Sequence, residues 1–340
     1  MKEILFQFGL KGDDFQVQPF GNGLINSTWK ITDKKNDPKY ILQKVNHQVF
    51  KQPGDIAFNT RLIDNYLKTN FPDYLFVSPV VTIDGDEVVK NGDEFYRMFP
   101  FVENSHTLNV VEKPQQAYEA AKQFGRFTKL LSGFDASQLK ITLPDFHNLT
   151  LRYQQFENAL QTGNAERIKQ STDLIYLIKQ NKRIVDEYEA YKGRFNTRVT
   201  HHDTKISNVL FDEKDRGLCV IDLDTVMPGY FISDAGDMMR TYLCPVSEEE
   251  KDFSKIVIRK EFYDAVVDGY LSEMGAELSE IENQHFNYAG QFMIYMQALR
   301  FLTDHLNNDV YYGAKYEGHN LVRAGNQITL LQRLQQFING

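Results

Sequence analysis

The chain has 340 residues, long enough for two domains or one large two-lobed one, and its 25% charged and 13% aromatic residues exclude a disordered polypeptide. A formal net charge of -8 excludes a general nucleic-acid binder, which needs concentrated Lys and Arg, but leaves room for a local basic pocket that takes a nucleotide. Two cysteines, Cys219 and Cys244, imply neither a disulfide framework nor a Cys-rich zinc site. The amino-terminal apolar run is broken by charge too early for a signal segment and no apolar stretch of membrane-spanning length occurs, so a cytoplasmic, non-membrane protein is expected.

In chain order, alternation predicts strands over 15–20, 27–32 and 40–45, separated by the turn segments 21–26 and 33–38. Apolar residues at threes and fours, Ile56, Leu62, Ile63, Tyr66 and Leu67, predict a helix over 55–69, stopped by Pro72. Strands follow at 77–83, 87–90 and 94–99, with Asn91-Gly92 as a hairpin turn, giving an antiparallel sheet of about five strands. Pro100 cannot continue a ladder, and a boundary is placed near Val102, between a first domain of residues 1–102 and a second of 103–340. Beyond it, helices are predicted over 112–131, 151–160, 165–191, 234–243, 248–274, 279–307 and 321–337. The fold class is therefore α+β, with a small antiparallel sheet plus a helix in the first lobe and a large, mainly helical second lobe.

One stretch interrupts the helices. Residues 199–229 hold two short apolar runs, 208–211 and 218–222, joined by a polar turn over 212–217. Closing that hairpin gathers Asp203, Asn208, Asp222 and Asp224 at one rim, a set of hard oxygen donors suited to magnesium. His-x-Asp, then Asn five residues after the Asp, then Ile-Asp, has the logic of phosphoryl transfer. Asp203 takes the proton of an attacking hydroxyl, while Asn208 and Asp222 hold the metal. A polar hairpin whose Asp and Asn side chains merely cap turns accounts for the same residues. Asp222 and Asp224, two apart, face the same way in extended backbone, so Asp224 is a candidate for a substrate hydroxyl or a second metal, or else stabilises the turn before Pro228-Gly229.

His201-His202-Asp203-Thr204-Lys205-Ile206-Ser207-Asn208 with Ile221-Asp222-Leu223-Asp224-Thr225 resembles the aminoglycoside phosphotransferase and choline kinase superfamily, which has a protein-kinase-like fold. Over most of the second lobe, including Arg300-Phe301-Leu302-Thr303-Asp304 and Gly318-His319-Asn320-Leu321, it is similar to the N-acetylhexosamine 1-kinase group. The resemblance implies an ATP- and Mg2+-dependent kinase with Asp203 as base, Asn208 and Asp222 as metal ligands, and a sugar, an N-acetylhexosamine, as small-molecule partner. Asp234 looks like the residue that ties down the catalytic loop, with a helix N-cap as the competing role. Lys205 is a candidate contact to the transferred phosphate or a solvated surface lysine.

The segment Gly21-Asn22-Gly23 sits between two predicted strands, where backbone amides can cover phosphates, although such a segment is also an ordinary tight turn. Asn26 stands where a kinase loop has its third glycine, and no Gly-Lys-Ser/Thr follows, so this is no Walker loop. Lys44 occupies the family's phosphate-binding position. The predicted helix offers no glutamate to partner it, leaving Asn59 or Asp64. Residues 98–102, with Phe99 and Phe101, form the expected hinge whose backbone reads the adenine. For the acceptor, the resemblance points to Arg300 as a sugar contact, against an Arg300–Asp304 helix pair at i, i+4. Two other readings stay open: a kinase of amino alcohols, choline-like amines or aminoglycosides, and a nucleotide binder without catalysis.

Overall fold

The computed structural model describes residues 1–21 and 25–340. In chain order its elements are α1 (Lys2–Gln7), β1 (Phe15–Pro19), β2 (Ser27–Asp33), β3 (Pro38–Val45), α2 (Pro53–Asn70), β4 (Val89–Asn91), β5 (Glu94–Pro100), β6 (Ser105–His106), α3 (Pro114–Leu130) and α4 (Leu149–Thr162). They continue with α5 (Ala165–Gln170), α6 (Thr172–Gln180), α7 (Arg183–Tyr191), β7 (Arg198–Thr200), β8 (Val209–Asp212), β9 (Gly217–Val220) and β10 (Met227–Gly229). The chain ends in α8 (Phe231–Tyr242), α9 (Lys260–Met274), α10 (Glu280–Gln284), α11 (Phe286–Leu306) and α12 (His319–Asn339). This is the expected α+β class, an antiparallel sheet early in the chain and mainly helix later. Among the described residues no helix is long and apolar enough to cross a membrane.

Two compact units divide the chain. One comprises Met1–His106, Gly133–Pro144 and Leu210–Pro228; the other comprises Thr107–Ser132, Asp145–Val209 and Gly229–Gly340. The sequence reading put Gly133–Pro144 and Leu210–Pro228 beyond its boundary near Val102. A single cut in a linear chain cannot describe segments that return.

In the first unit, five antiparallel strands lie in the order β1-β2-β3-β5-β4. Alternation gives the sheet two distinct faces. Ile31, Leu42, Tyr96 and Met98 pack with Ile4, Leu5 and Phe8 of the amino-terminal segment. Burial of Ile4 and Leu5 stabilises by roughly 1.5–3 kcal/mol per side chain, which is why the unforeseen helix α1 docks. Val45 belongs to a separate cluster with Phe50, Ile56, Phe95 and Leu143. Residues 77–83, expected as a strand, form none: Pro79 has no N–H, and the backbone bonds are scattered, Val80 N–H to Met98 O, Thr82 to Asp86 O and Ile83 to Gln7 O. β6, β8 and β9 make a small second sheet.

The second unit is built around α11, buried on nearly every side as its apolar sequence requires. It packs against α4, α8 and α12, while α3 pairs with α9. Close helix approach depends on glycine: a Cβ on Gly236 of α8 would run into Ala289 O, and one on Gly269 of α9 into Tyr118 O. Several predicted helices are interrupted. The 165–191 stretch is three helices broken at Ser171 and at Asn181-Lys182, 279–307 breaks at His285, and 248–274 begins only at Lys260. Ahead of Lys260, the Asn326 side chain donates to Ser247 O and Glu250 O, and Arg259 to Tyr242 O, so tertiary partners replace helical ones.

Candidate active site

In the second unit the loop after β7 is held by α8. Asp234 and Asp237, three apart and so on one helix face, accept backbone N–H groups of the loop. Asp234 takes those of His201 and His202 at 2.9 and 2.8 Å, and Asp237 that of Thr204 at 3.0 Å. Thr204 returns its hydroxyl to Asp234 O at 2.9 Å, and Tyr242 donates to Thr204 O at 2.6 Å. Asp234 lies inside α8, whose N-cap is Tyr230, so of its two expected roles the N-cap is excluded. Burial, opposed by the two backbone donors, pushes the Asp234 carboxyl up to about 7. Arg240 braces Asp237 at 2.9 Å and Glu248 at 2.9 Å, and Glu248 also pairs with Arg323. Burial opposes the Arg240 charge, but the two carboxylates override it and raise its pKa. His202 has φ 65°, the left-handed backbone of a sharp loop. His201 is buried with its ring edge-on to Phe124 at 5.1 Å.

On this pinned loop stand three of the predicted residues. Lys205 Nζ lies 3.0 Å from Asp203 Oδ1, and Asn208 Nδ2 donates to Asp203 O at 2.9 Å and to Oδ2 at 3.2 Å. Burial would raise the Asp203 pKa, but the Lys205 ammonium outweighs it and holds the carboxyl below its ordinary value. An ionised carboxylate is the form a proton acceptor needs. Lys205 also faces Asp237, and these carboxylates, against the effect of burial, keep it charged. With its nitrogen committed to Asp203, Asn208 leaves its amide oxygen for another partner, so the residue fits a hard cation.

Farther along this unit, a cavity of about 300 Å3 is lined by Arg152, Gln155, Asn158, Arg300, Thr303, Asp304, Asn307, Tyr311 and Tyr312. The Arg300 guanidinium lies 5.5 Å from the Tyr312 ring and 5.6 Å from that of Phe146. It does not form the helix pair with Asp304. That carboxylate accepts instead from Tyr311 N at 2.7 Å, Tyr312 N at 2.9 Å and Asn320 Nδ2 at 3.1 Å. Arg152 shares the cavity, and burial together with the nearby Arg300 charge lowers its pKa.

The first unit holds the other predicted residues, and here the structure departs from expectation. Residues 222–224 are not extended. β9 ends at Val220, Asp222 is exposed with φ 61° and ψ 62°, and Asp224 is buried in a 3-10 turn, so the two do not face the same way. Left-handed backbone costs a non-glycine residue about 1–2 kcal/mol, least for Asn and Asp. Asp224 has both oxygens engaged: Oδ1 pairs with Arg97, and Oδ2 accepts from Asn26 Nδ2 at 2.8 Å. Arg97 also donates from Nε and Nη2 to Gln43 Oε1 at 3.0 and 2.8 Å.

This register displaces Lys44. Gln43 faces Arg97 across the sheet and Lys44 faces Tyr96, so alternation sends Lys44 to the opposite face from Arg97 and Asp224. There Lys44 Nζ, half-exposed, pairs with Glu94 at 2.9 Å, and the partner is a strand glutamate rather than Asn59 or Asp64. Asn59 instead bonds Lys140 and Val226, and Asp64 bonds Lys68. Gly21 adopts φ 75°, as a turn glycine does, while Asn22 and Gly23 lie outside the described residues. Phe99 lies under the Arg97 guanidinium at 5.1 Å. Phe101 N–H donates to Lys39 O at 2.9 Å, so that hinge donor is already engaged. A larger cavity of about 530 Å3, lined by residues such as Lys2, Phe6 and Val89, carries none of these groups.

The profile of the phosphotransferase enzyme family, APH, matches residues 16–280. The chain belongs to this family. Among solved structures it is similar to a microcompartment-associated aminopropanol kinase, with 15% identity over 99% of this chain and 96% of that one and a TM-score of 0.66. Amicoumacin kinase hAmiN, in complex with AMP-PNP, Ca2+ and Ami, matches with 14% identity over 95% and 92% and a TM-score of 0.63. Choline kinase from Cryptosporidium parvum Iowa II matches with 12% identity over 95% and 93% and a TM-score of 0.57. These likenesses share the protein-kinase-like fold. The chain is thus a phosphotransferase-family protein, in keeping with an alcohol-acceptor kinase of small molecules.

Sequence reasoning missed Asp237, Arg240, Glu248, Arg97 and Arg152. For the first two a signal existed: Asp234-x-x-Asp237-x-x-Arg240 places three charges along one face of an otherwise apolar helix. Arg97 and Arg152 carry no local signal, because their partners are distant in sequence.

Proposed function

We propose that the protein transfers the γ-phosphate of ATP, with Mg2+, to a hydroxyl of a neutral sugar, the anomeric hydroxyl of an N-acetylhexosamine. The observation that carries the reading is Asp203, an ionised carboxylate on a loop whose backbone is fixed by Asp234 and Asp237. Asp203 orients the acceptor hydroxyl and takes its proton. Lys205 lowers the Asp203 pKa and offers charge to the transferred phosphoryl group. Asn208 and Asp222 are the protein's oxygen donors to the metal, which supplies charge neutralisation for the phosphates.

Arg152 and Arg300 in one cavity support the sugar over the amine. Their fixed donors suit hydroxyl and acetamido oxygens, whereas two guanidinium groups repel an ammonium. The second reading, an amino-alcohol or aminoglycoside kinase, draws on the aminopropanol and choline kinases among the similar structures. A phosphate-transfer assay across N-acetylglucosamine, N-acetylgalactosamine, other hexoses, choline, aminopropanol and aminoglycosides separates them. Transfer to amines and to no sugar rejects the sugar reading. Asp203→Asn is expected to lower kcat by roughly a hundred- to ten-thousand-fold, and undiminished turnover removes Asp203 from its role.

A further inference from the structure

Asp224 reads from the sequence as a substrate or second-metal residue, but its place in the fold assigns it other work. Its side chain is 3% exposed and that of Arg97 is 5% exposed, and the two form an ion pair within the first unit. Its second oxygen accepts from Asn26, whose own Oδ1 accepts the N–H of Asn46 at 3.0 Å. Gln43 fixes the Arg97 guanidinium from the other side. Arg97 of β5 and Asn26, just before β2, therefore meet on the carboxylate of the turn after β9, and β3 and the residue after it brace both of them through Gln43 and Asn46. Two residues back in that turn stands Asp222, exposed and left-handed.

We propose that Arg97, Asp224 and Asn26 form a positioning clamp that fixes the Asp222 turn and couples it to the end of the glycine segment. Arg97 neutralises Asp224, so that Asp222 is the carboxylate of this turn that meets the metal. A left-handed aspartate needs such support, because the neighbouring structure must over-determine a sparsely populated backbone. A buried carboxylate whose two oxygens already face a guanidinium and an amide is a poorer ligand for a second metal or a sugar hydroxyl than the exposed Asp222. By holding the turn two residues from Asp222, the clamp governs metal affinity through the position of that carboxylate, though it never touches the ion.

The clamp rests on the kinase reading, and its test separates the two. Binding of Mn2+ to the protein with AMP-PNP is followed by loss of the free Mn2+ paramagnetic resonance signal, and binding of AMP-PNP alone is measured calorimetrically in EDTA. Asp224→Asn and Arg97→Met are expected to weaken Mn2+ binding by roughly tenfold or more, as loss of such a partner does elsewhere. Metal-free AMP-PNP affinity should fall by clearly less than Mn2+ affinity, Arg97→Lys should recover part of the Mn2+ loss, and Asn26→Ala should weaken Mn2+ binding as well. Asn26 is only partly buried, so that variant carries the test even if the Arg97 and Asp224 variants fail to fold. Mn2+ affinity unchanged in Asn26→Ala, or an equal loss of metal-free AMP-PNP, overturns the clamp. So does a rise in acceptor KM at unchanged Mn2+ affinity in Asp224→Asn, which restores the substrate role. A wild-type protein that binds neither AMP-PNP nor Mn2+ defeats the kinase reading instead.

Discussion

Asp237→Ala is the sharpest test of how α8 holds the catalytic loop. The Asp237 side chain is 6% exposed and makes three charged hydrogen bonds, one from Thr204 N–H at 3.0 Å and two from Arg240 at 3.0 and 2.9 Å. Removing the carboxylate leaves a buried backbone donor unsatisfied, at about 1–3 kcal/mol. It also leaves Arg240, 11% exposed, with Glu248 as its remaining partner; breaking a buried pair from one side costs about 3–5 kcal/mol. The two costs share one network and do not add in full, and the retained Glu248 contact argues for the lower part of the range, so about 3 kcal/mol is expected. Urea unfolding followed by far-UV circular dichroism, with the wild-type slope as reference, reads this directly. Arg240→Met alone and with Asp237→Ala completes a cycle that isolates the pair. A loss below about 1 kcal/mol, or a coupling indistinguishable from zero, refutes the claim that this pair fixes the loop.

Further outcomes follow from single contacts. Gly236→Ala puts a methyl group against Ala289 O and 2.9 Å from Met293 Cβ, so overpacking of about 1–3 kcal/mol should outweigh the helix propensity gained, and a raised melting temperature contradicts it. Lys44→Ala should cost less than about 1 kcal/mol, as for an exposed pair, and leave AMP-PNP affinity within about twofold; a large loss of nucleotide returns Lys44 to the phosphates. Asp212 should titrate at about 2 by carboxyl NMR, held down first by the backbone N–H of Arg216 and next by its side chain. Its folded pKa is depressed, so its contribution is present above the unfolded value near 3.9 and is lost as pH falls through about 2. Arg216→Ala keeps the backbone donor and should bring the midpoint only part of the way back, and an unmoved midpoint excludes the side chain as a cause.

How legible the molecule was depended on the range of the forces involved. The strands over 15–20, 27–32 and 40–45 and the helix over 55–69 appear within a few residues of their predicted limits, because alternation and helical spacing are local. α1 and the breaks at Ser171 and His285 were not visible, since docking against Leu42 and Met98, or a turn between packed helices, is decided by residues far away in the chain. Asp203, Lys205 and Asn208 meet as their spacing suggests, within six residues. Lys44 and Asp224 did not follow their spacing. A one-residue step in strand register sends a side chain to the other face, and neither Arg97 nor Asn26 is a sequence neighbour of Asp224.

By itself, then, the sequence determined the fold class and the loop at Asp203 through short-range pattern, and the phosphotransferase family through the resemblance of its motifs. Only the tertiary structure decided which charges neutralise which. It gave Lys44 to Glu94, Asp224 to Arg97, and the Thr204 amide to Asp237. The reason is physical: partners are chosen by proximity in space, and where the charge is buried, as at Asp224, it is tolerable only beside its partner.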